Sequence, residues 1–215
     1  IFGLGSANGS RTGASPLAEM MENLTKKPNI SVITCMGNEA NNKCHYKGTV
    51  MSALVPDVME INVDGTGKGF TMEIWADSLD ILSVSIESPS GEYVPRIPAR
   101  MGASMEYTFL YEGSTVTVDY QITENVAGME VIFVRLKTPV EGTWKFYIYS
   151  LTNIKGSYNA WLPLKQFSGQ DIYFLKSDPD TTLTVPAAAD GVISVGAYNH
   201  YTCLLYTSPS PRDKR

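Results

Sequence analysis

An α/β domain interrupted by an antiparallel β-sandwich of jelly-roll type is the fold class this sequence predicts. Strand and helix patterns alternate over residues 1–54, a period of two without helix signals runs over 55–165, and the first pattern returns over 166–200. A chain of 215 residues with 43% hydrophobic content has enough apolar surface for a sizeable core in either part.

The first part opens with a helix signal at Ser15-Pro16, a capping hydroxyl followed by a proline at the first helical position, with Glu19 in the first turn. Leu17, Met20, Met21 and Leu24 recur at helical spacing and are expected to face the core. Lys26-Lys27 suit the negative end of that helix, and Pro28 stops it. Ile30 to Met36 reads as a buried parallel strand that opens into a loop at Gly37-Asn38-Glu39.

In the second part, Phe70, Met72 and Ile74 alternate with polar residues, as do Val116, Val118 and Tyr120, and Trp144, Phe146 and Ile148. Leu82–Ile86 and Met129–Leu136 add strands, and Ser88-Pro89-Ser90-Gly91, Glu112-Gly113 and Glu141-Gly142 supply turns. Such strands without intervening helices indicate a sandwich or jelly roll. Leu183–Pro186 and Val192–Tyr198 return to the first architecture. Residues 201–215 fit neither. Ser208-Pro209-Ser210-Pro211 and the charged Arg212–Arg215 cannot bury apolar surface, so this tail is expected to be disordered. It resembles adapter-like translated sequence and is read as non-native.

A net charge of -5 leaves no basic surplus for phosphates, which argues against a nucleic-acid partner. No apolar run approaches the roughly 20 residues of a membrane-spanning helix, and the first residues lack a signal-peptide pattern. They read as the end of a buried strand, so the chain is expected to begin inside a domain. Cys35, Cys44 and Cys203 match no zinc spacing and make no disulfide framework. A Cys35–Cys44 bridge and two free thiols both fit the spacing, and free thiols are the simpler expectation.

Three segments in order carry a family resemblance. Gly3-Leu4-Gly5 lies one helix and one strand before Met36-Gly37-Asn38-Glu39, and Val192-Ile193-Ser194-Val195-Gly196-Ala197 follows downstream. Together they resemble the subtilisin-like serine proteases. The clostridial subfamily, in which a jelly-roll domain interrupts the protease, resembles the chain further at Asn8-Gly9-Ser10, His45–Gly48, Pro89–Glu92, Gly142-Thr143-Trp144, Ala160–Pro163 and Asp178–Thr184. The resemblance implies part of a subtilisin-like parallel-sheet domain in a bacterial protein that is extracellular or spore-associated, acting on a peptide or protein substrate.

It further implies that Asn38 is the oxyanion-hole donor. Gly3, Leu4 and Gly5 would form one side of the substrate cleft, and Thr34, Cys35, Met36 and Gly37 the other. Read without the resemblance, Asn38 is a turn residue at a strand end, and the glycines serve turn geometry. Pro186 aligns with a proline that follows a cis bond in many relatives. The loop Ala187–Val192 lies where some relatives hold a weak calcium ion through carbonyl oxygens; no cofactor is required and no metal ligand set is predicted.

The chain departs from the family in one respect that decides its chemistry. A working triad needs an Asp, a His and a Ser in their own motifs, and neither His45 nor His200 sits in one. The Asp and His are expected before Ile1 and the Ser beyond the start of the tail, so the isolated chain is not expected to cleave peptides. Two alternatives stand beside the protease reading. One is a pseudoprotease; the other is a sandwich that binds carbohydrate or protein through exposed rings among Tyr107, Tyr111, Tyr120, Trp144, Tyr147 and Tyr158. An α/β hydrolase is excluded because no G-x-S-x-G elbow occurs, and Gly3-Leu4-Gly5 is an incomplete dinucleotide loop.

Overall fold

The computed structural model describes residues 1–65, 67–76, 81–100, 102–122, 129–151, 156–168, 171–199 and 204–205. In chain order, α1 spans Pro16–Thr25, β1 Ile33–Cys35, β2 His45–Val50, β3 Asp57–Asp64, β4 Gly69–Ala76, β5 Leu82–Glu87, β6 Tyr93–Ile97 and β7 Ser104–Thr108. Then come β8 Thr115–Ile122, β9 Glu130–Lys137, β10 Gly142–Ser150, β11 Gly156–Trp161, α2 Lys165–Ser168, β12 Asp171–Phe174, β13 Ile193–Val195, β14 Tyr198–Asn199 and β15 Leu204–Leu205. They divide into two compact units, Ile1–His45 with Asp178–Arg215, and Tyr46–Ser177. Apart from the pairing of β14 with β15, the tail from 201 lies outside the described residues.

The α/β class expected from the sequence is overturned. The structure is mostly antiparallel β, and parallel pairing among the described residues is confined to β1 with β13 and to one bridge between Phe2 and Thr34. A parallel-sheet domain needs several adjacent strands with helices covering both faces. Here the parallel strand expected over Ile30 to Met36 is formed only at Ile33–Cys35, and of its three residues only Thr34 is buried. The helix expected at Ser15 is present, with Ser15 Oγ accepting from the Ala18 N–H at 3.1 Å. Its buried residues, however, are Ala18 and Met21, while Leu17, Met20 and Leu24 are exposed. Of the four residues expected to face the core, only Met21 is buried among the described residues.

The unit Tyr46–Ser177 consists of two antiparallel sheets, in the orders β12-β3-β10-β5-β6 and β2-β11-β4-β9-β8-β7, a sandwich consistent with a jelly roll. Alternation determines which face each strand buries. In β10, Trp144, Phe146 and Ile148 are fully buried, with Trp144 opposite Ile61 of β3 and Phe146 opposite both Met59 of β3 and Ile86 of β5. Each such side chain contributes roughly 1.5–3 kcal/mol by leaving water.

Polar groups bridge the sheets where they enter the core. Tyr120 of β8 donates its hydroxyl to the Ile97 carbonyl at 3.0 Å and accepts from the Val84 N–H at 3.3 Å. Glu130 of β9 accepts from the Leu82 N–H at 2.8 Å. Asp57 of β3 accepts from the hydroxyls of Tyr46 at 3.0 Å and Tyr158 at 2.7 Å. Burial and that carboxylate both push the two phenols above their ordinary range. No side chain fits at Gly48, because a Cβ there would lie 2.3 Å from Tyr158 and 2.4 Å from Asp57.

In the other unit, the segments entering and leaving the sandwich meet at His45 and Asp178. The Asp178 N–H donates to the His45 carbonyl at 2.9 Å, and Nδ1–H of the fully buried His45 donates to the Asp178 carbonyl at 3.1 Å.

Gly48→Ala is expected to destabilise the chain by about 1–3 kcal/mol through overpacking, read as a lower urea midpoint at unchanged m value. On the outer face of β10, Glu87 accepts from Tyr147 and from Lys145, which holds its carboxyl below the usual carboxylate range. A depressed folded value stabilises the native state above the unfolded value of 4.5, and that stabilisation is lost as pH falls through the folded value. Glu87→Gln should therefore lower the urea midpoint at neutral pH, and the gap to the wild type should close in acid.

Candidate functional site

Of the residues singled out by sequence, Gly5, Cys35, Met36 and Gly37 lie against one extended segment, Thr184-Val185, while Thr34 is buried beside Ser194. On one side, the Ser6 N–H donates to the Val185 carbonyl at 3.0 Å and the Val185 N–H donates to the Ser6 carbonyl at 2.9 Å. On the other, the Thr184 N–H donates to the Met36 carbonyl at 3.0 Å and Thr184 Oγ1 donates to the Cys35 carbonyl at 3.2 Å. Two chain segments far apart in sequence are thus laid against the same pair of residues. Beyond Cys35, the Met36 N–H donates to the Val195 carbonyl at 3.0 Å, continuing the parallel register of Ile33, Thr34 and Cys35 with Ile193, Ser194 and Val195.

Two glycines permit this close approach. A Cβ on Gly5 would fall 2.3 Å from Thr184 Oγ1, and one on Gly37 would fall 2.6 Å from Thr184 Cγ2. Gly37 also has φ of +85°, a conformation that other residues rarely adopt. Gly3, Leu4 and Gly5 make no hydrogen bond among the described residues, and Leu4 is 72% exposed. Their backbone groups are open to pair with another extended chain.

Asn38 stands just past Gly37, exposed, with no hydrogen bond among the described residues. The turn that follows is fixed from behind. Glu39, only 7% exposed, accepts from Asn42 Nδ2 at 2.8 Å, its carbonyl accepts from the Asn42 N–H at 2.9 Å, and Cys44 Sγ donates to that carbonyl at 3.6 Å. An uncharged amide on a fixed turn, free of internal partners, is able to donate to an incoming oxygen.

Several other expectations meet the structure here. Cys35 and Cys44 are free thiols. Cys203 and His200 lie outside the described residues. The Val185–Pro186 bond is cis, as the resemblance implied. Asp190 is the one carboxylate in the loop Ala187–Val192 and is exposed, while the Ala187 carbonyl accepts from Ser194 Oγ at 2.7 Å. A cation there would depend on carbonyl oxygens. Among the described residues no group of three or more His, Cys, Asp or Glu is placed to hold a metal ion. Of the aromatic residues considered for ligand contact in the sandwich, Tyr120, Trp144 and Tyr158 are core, whereas Tyr111 is 85% exposed. An open hollow of about 420 Å³ lies along α1 between Pro16, Met20, Leu24 and Lys27, and none of the residues assigned to the cleft lines it.

Thr184 and Val185 are buried residues of this site that the sequence did not single out. The signal was there in indirect form: two glycines, Gly5 and Gly37, each needing a reason to lack a side chain.

With the fold and this geometry in view, the chain is similar in structure to a bacterial protease. That protein is the CspB protease of Clostridium perfringens, with a TM-score of 0.83 and 24% sequence identity over 96% of this chain. The present chain spans 43% of the length of that protease, and at this identity the likeness is one of fold. No family model and no curated protein matches the sequence.

Burial pushes the Cys44 thiol up to about 12, with the Glu39 carboxylate adding to the effect and Arg11 opposing it. Iodoacetamide at pH 8 is expected to leave Cys44 unmodified in the native protein and to alkylate it fully in urea, as read by peptide mapping. Adducts on Cys44 without denaturant would contradict this burial.

Proposed function

We propose that this chain forms part of a subtilisin-like serine endopeptidase of the clostridial type, supplying the oxyanion donor and one portion of the substrate cleft. The observation that carries the reading is the state of Asn38: an exposed amide without a partner among the described residues, in the loop just beyond a strand in parallel register with β13. The fold likeness to a clostridial protease supports it, as do the open backbone groups of Gly3, Leu4 and Gly5.

In this reading an extended peptide lies beside residues 3–5 as an added strand, with Cys35, Met36 and Gly37 opposite and the buried Thr34 behind them. Attack by a serine on the scissile carbonyl moves an electron pair onto its oxygen. Nδ2–H of Asn38 donates to that oxygen, and the bond strengthens as charge develops there, so it favours the transition state over the bound substrate. An amide suits the task because it is a donor without a formal charge and so adds little to ground-state binding. The nucleophile and its base belong to other segments of such an enzyme, and this chain's contribution is geometric and electrostatic.

A product-like peptide, acetyl-trialanine with its free carboxylate, places an oxyanion where the tetrahedral intermediate would carry one. Titrating it into the chain should shift the side-chain NH₂ resonances of Asn38, and Asn38→Leu should abolish binding without unfolding the protein. In a peptidase that contains this segment, the same substitution should lower kcat by roughly 10²–10³ with little change in KM, the magnitude known from subtilisin. Unmoved Asn38 resonances at millimolar peptide would sink the proposal.

A further inference from the structure

We propose that Thr184 is a positioning residue that sets the separation of the two cleft walls and thereby the direction of the Asn38 amide; the inference rests on the peptide-cleft reading above. Thr184 is 3% exposed, so its side chain is enclosed by the protein around it. Its β-branched side chain divides between the walls. Oγ1 lies on the Gly5 side and also donates to the Cys35 carbonyl at 3.2 Å, while Cγ2 lies against Gly37.

Both contacts are closer than a side chain on either glycine would allow, at 2.3 Å and 2.6 Å from the positions their Cβ atoms would occupy. The Thr184 N–H adds a third tie through the Met36 carbonyl at 3.0 Å. The chain from Cys35 to Gly37 is therefore held at three consecutive residues by one residue, and Asn38 is the next in line. A threonine is limited to few χ1 rotamers, and its branches cannot exchange places without breaking the bond to Cys35. The spacing of the walls is accordingly a fixed property of the fold.

The interaction of each branch is removed by one substitution. Thr184→Val keeps the shape and loses the hydroxyl that serves the Cys35 carbonyl; Thr184→Ser keeps the hydroxyl and loses the methyl against Gly37. In the full 215-residue chain, both variants should retain the circular dichroism of the wild type. Both should also shift the Asn38 NH₂ resonances and weaken acetyl-trialanine binding by about five- to tenfold, the scale of one lost hydrogen bond or one misfitted contact.

Gly5→Ala alone should shift the same resonances and lower the urea midpoint. Combined with Thr184→Gly, which removes the colliding atoms, it should cost much less than the sum of the two single changes. Unmoved Asn38 resonances in both Thr184→Val and Thr184→Ser, or additive effects of Gly5→Ala and Thr184→Gly, would overturn the assignment. A wild-type chain that fails to bind the peptide refutes the cleft reading instead, and the ligand-free resonances and the double-mutant cycle still decide whether Thr184 sets the spacing.

Discussion

The close approach of two backbones to Thr184 is the constraint on which the smaller unit depends. Residues 2–6 and 33–37 are each short of regular structure, with one helix and a three-residue strand between or beside them. What gives them a defined relation is a shared neighbour. Hydrogen bonds from residues 184 and 185 reach both, and glycine at positions 5 and 37 removes the atoms that would keep them apart. A backbone that lacks a long ladder is held instead by a few short-range contacts, each of which is expensive to leave half made.

The sandwich achieves its order by the opposite means. Its strands run to nine residues in β10, its interior is filled by fully buried Trp144, Tyr120, Tyr158, Phe109 and Phe146, and the ring of Phe109 meets Trp144 edge-on at 5.1 Å between centroids. Several polar groups that enter this interior are partnered across the two sheets, as with Tyr120 to Ile97 and the two tyrosines on Asp57. Area burial dominates there, and polar satisfaction refines the register.

Legibility follows that contrast. The alternation at Phe70–Ile74, Val116–Tyr120 and Trp144–Ile148 was readable because period two and burial on one face are linked by the geometry of a strand. The capped start of α1 was readable for a similar local reason, a hydroxyl and a proline in consecutive positions. The direction that helix faces was not. Helical spacing shows that Leu17, Met20 and Leu24 share a side; it does not show what lies opposite, and among the described residues they are exposed. The same gap undid the α/β class, since the sequence pattern of a buried parallel strand was present at Ile30–Met36 but only Ile33–Cys35 found a partner strand. At the candidate site, the close approach at Gly5 and Gly37 falls within segments that the order of three short motifs had singled out. Thr184 was not legible, because its meaning is the space two other residues leave for it.

The hydrogen bonds between His45 and Asp178 have a consequence for how the smaller unit comes into being. They close a loop made of every residue of the sandwich, and an unfolded loop of that length would resist closure by about 4 kcal/mol of chain entropy. Once its strands have paired, the sandwich brings its own two ends together and nearly all of that resistance is gone. Joining Ile1–His45 to Asp178–Arg215, the two pieces of the smaller unit, is in this sense eased by the pairing of strands that belong to neither piece.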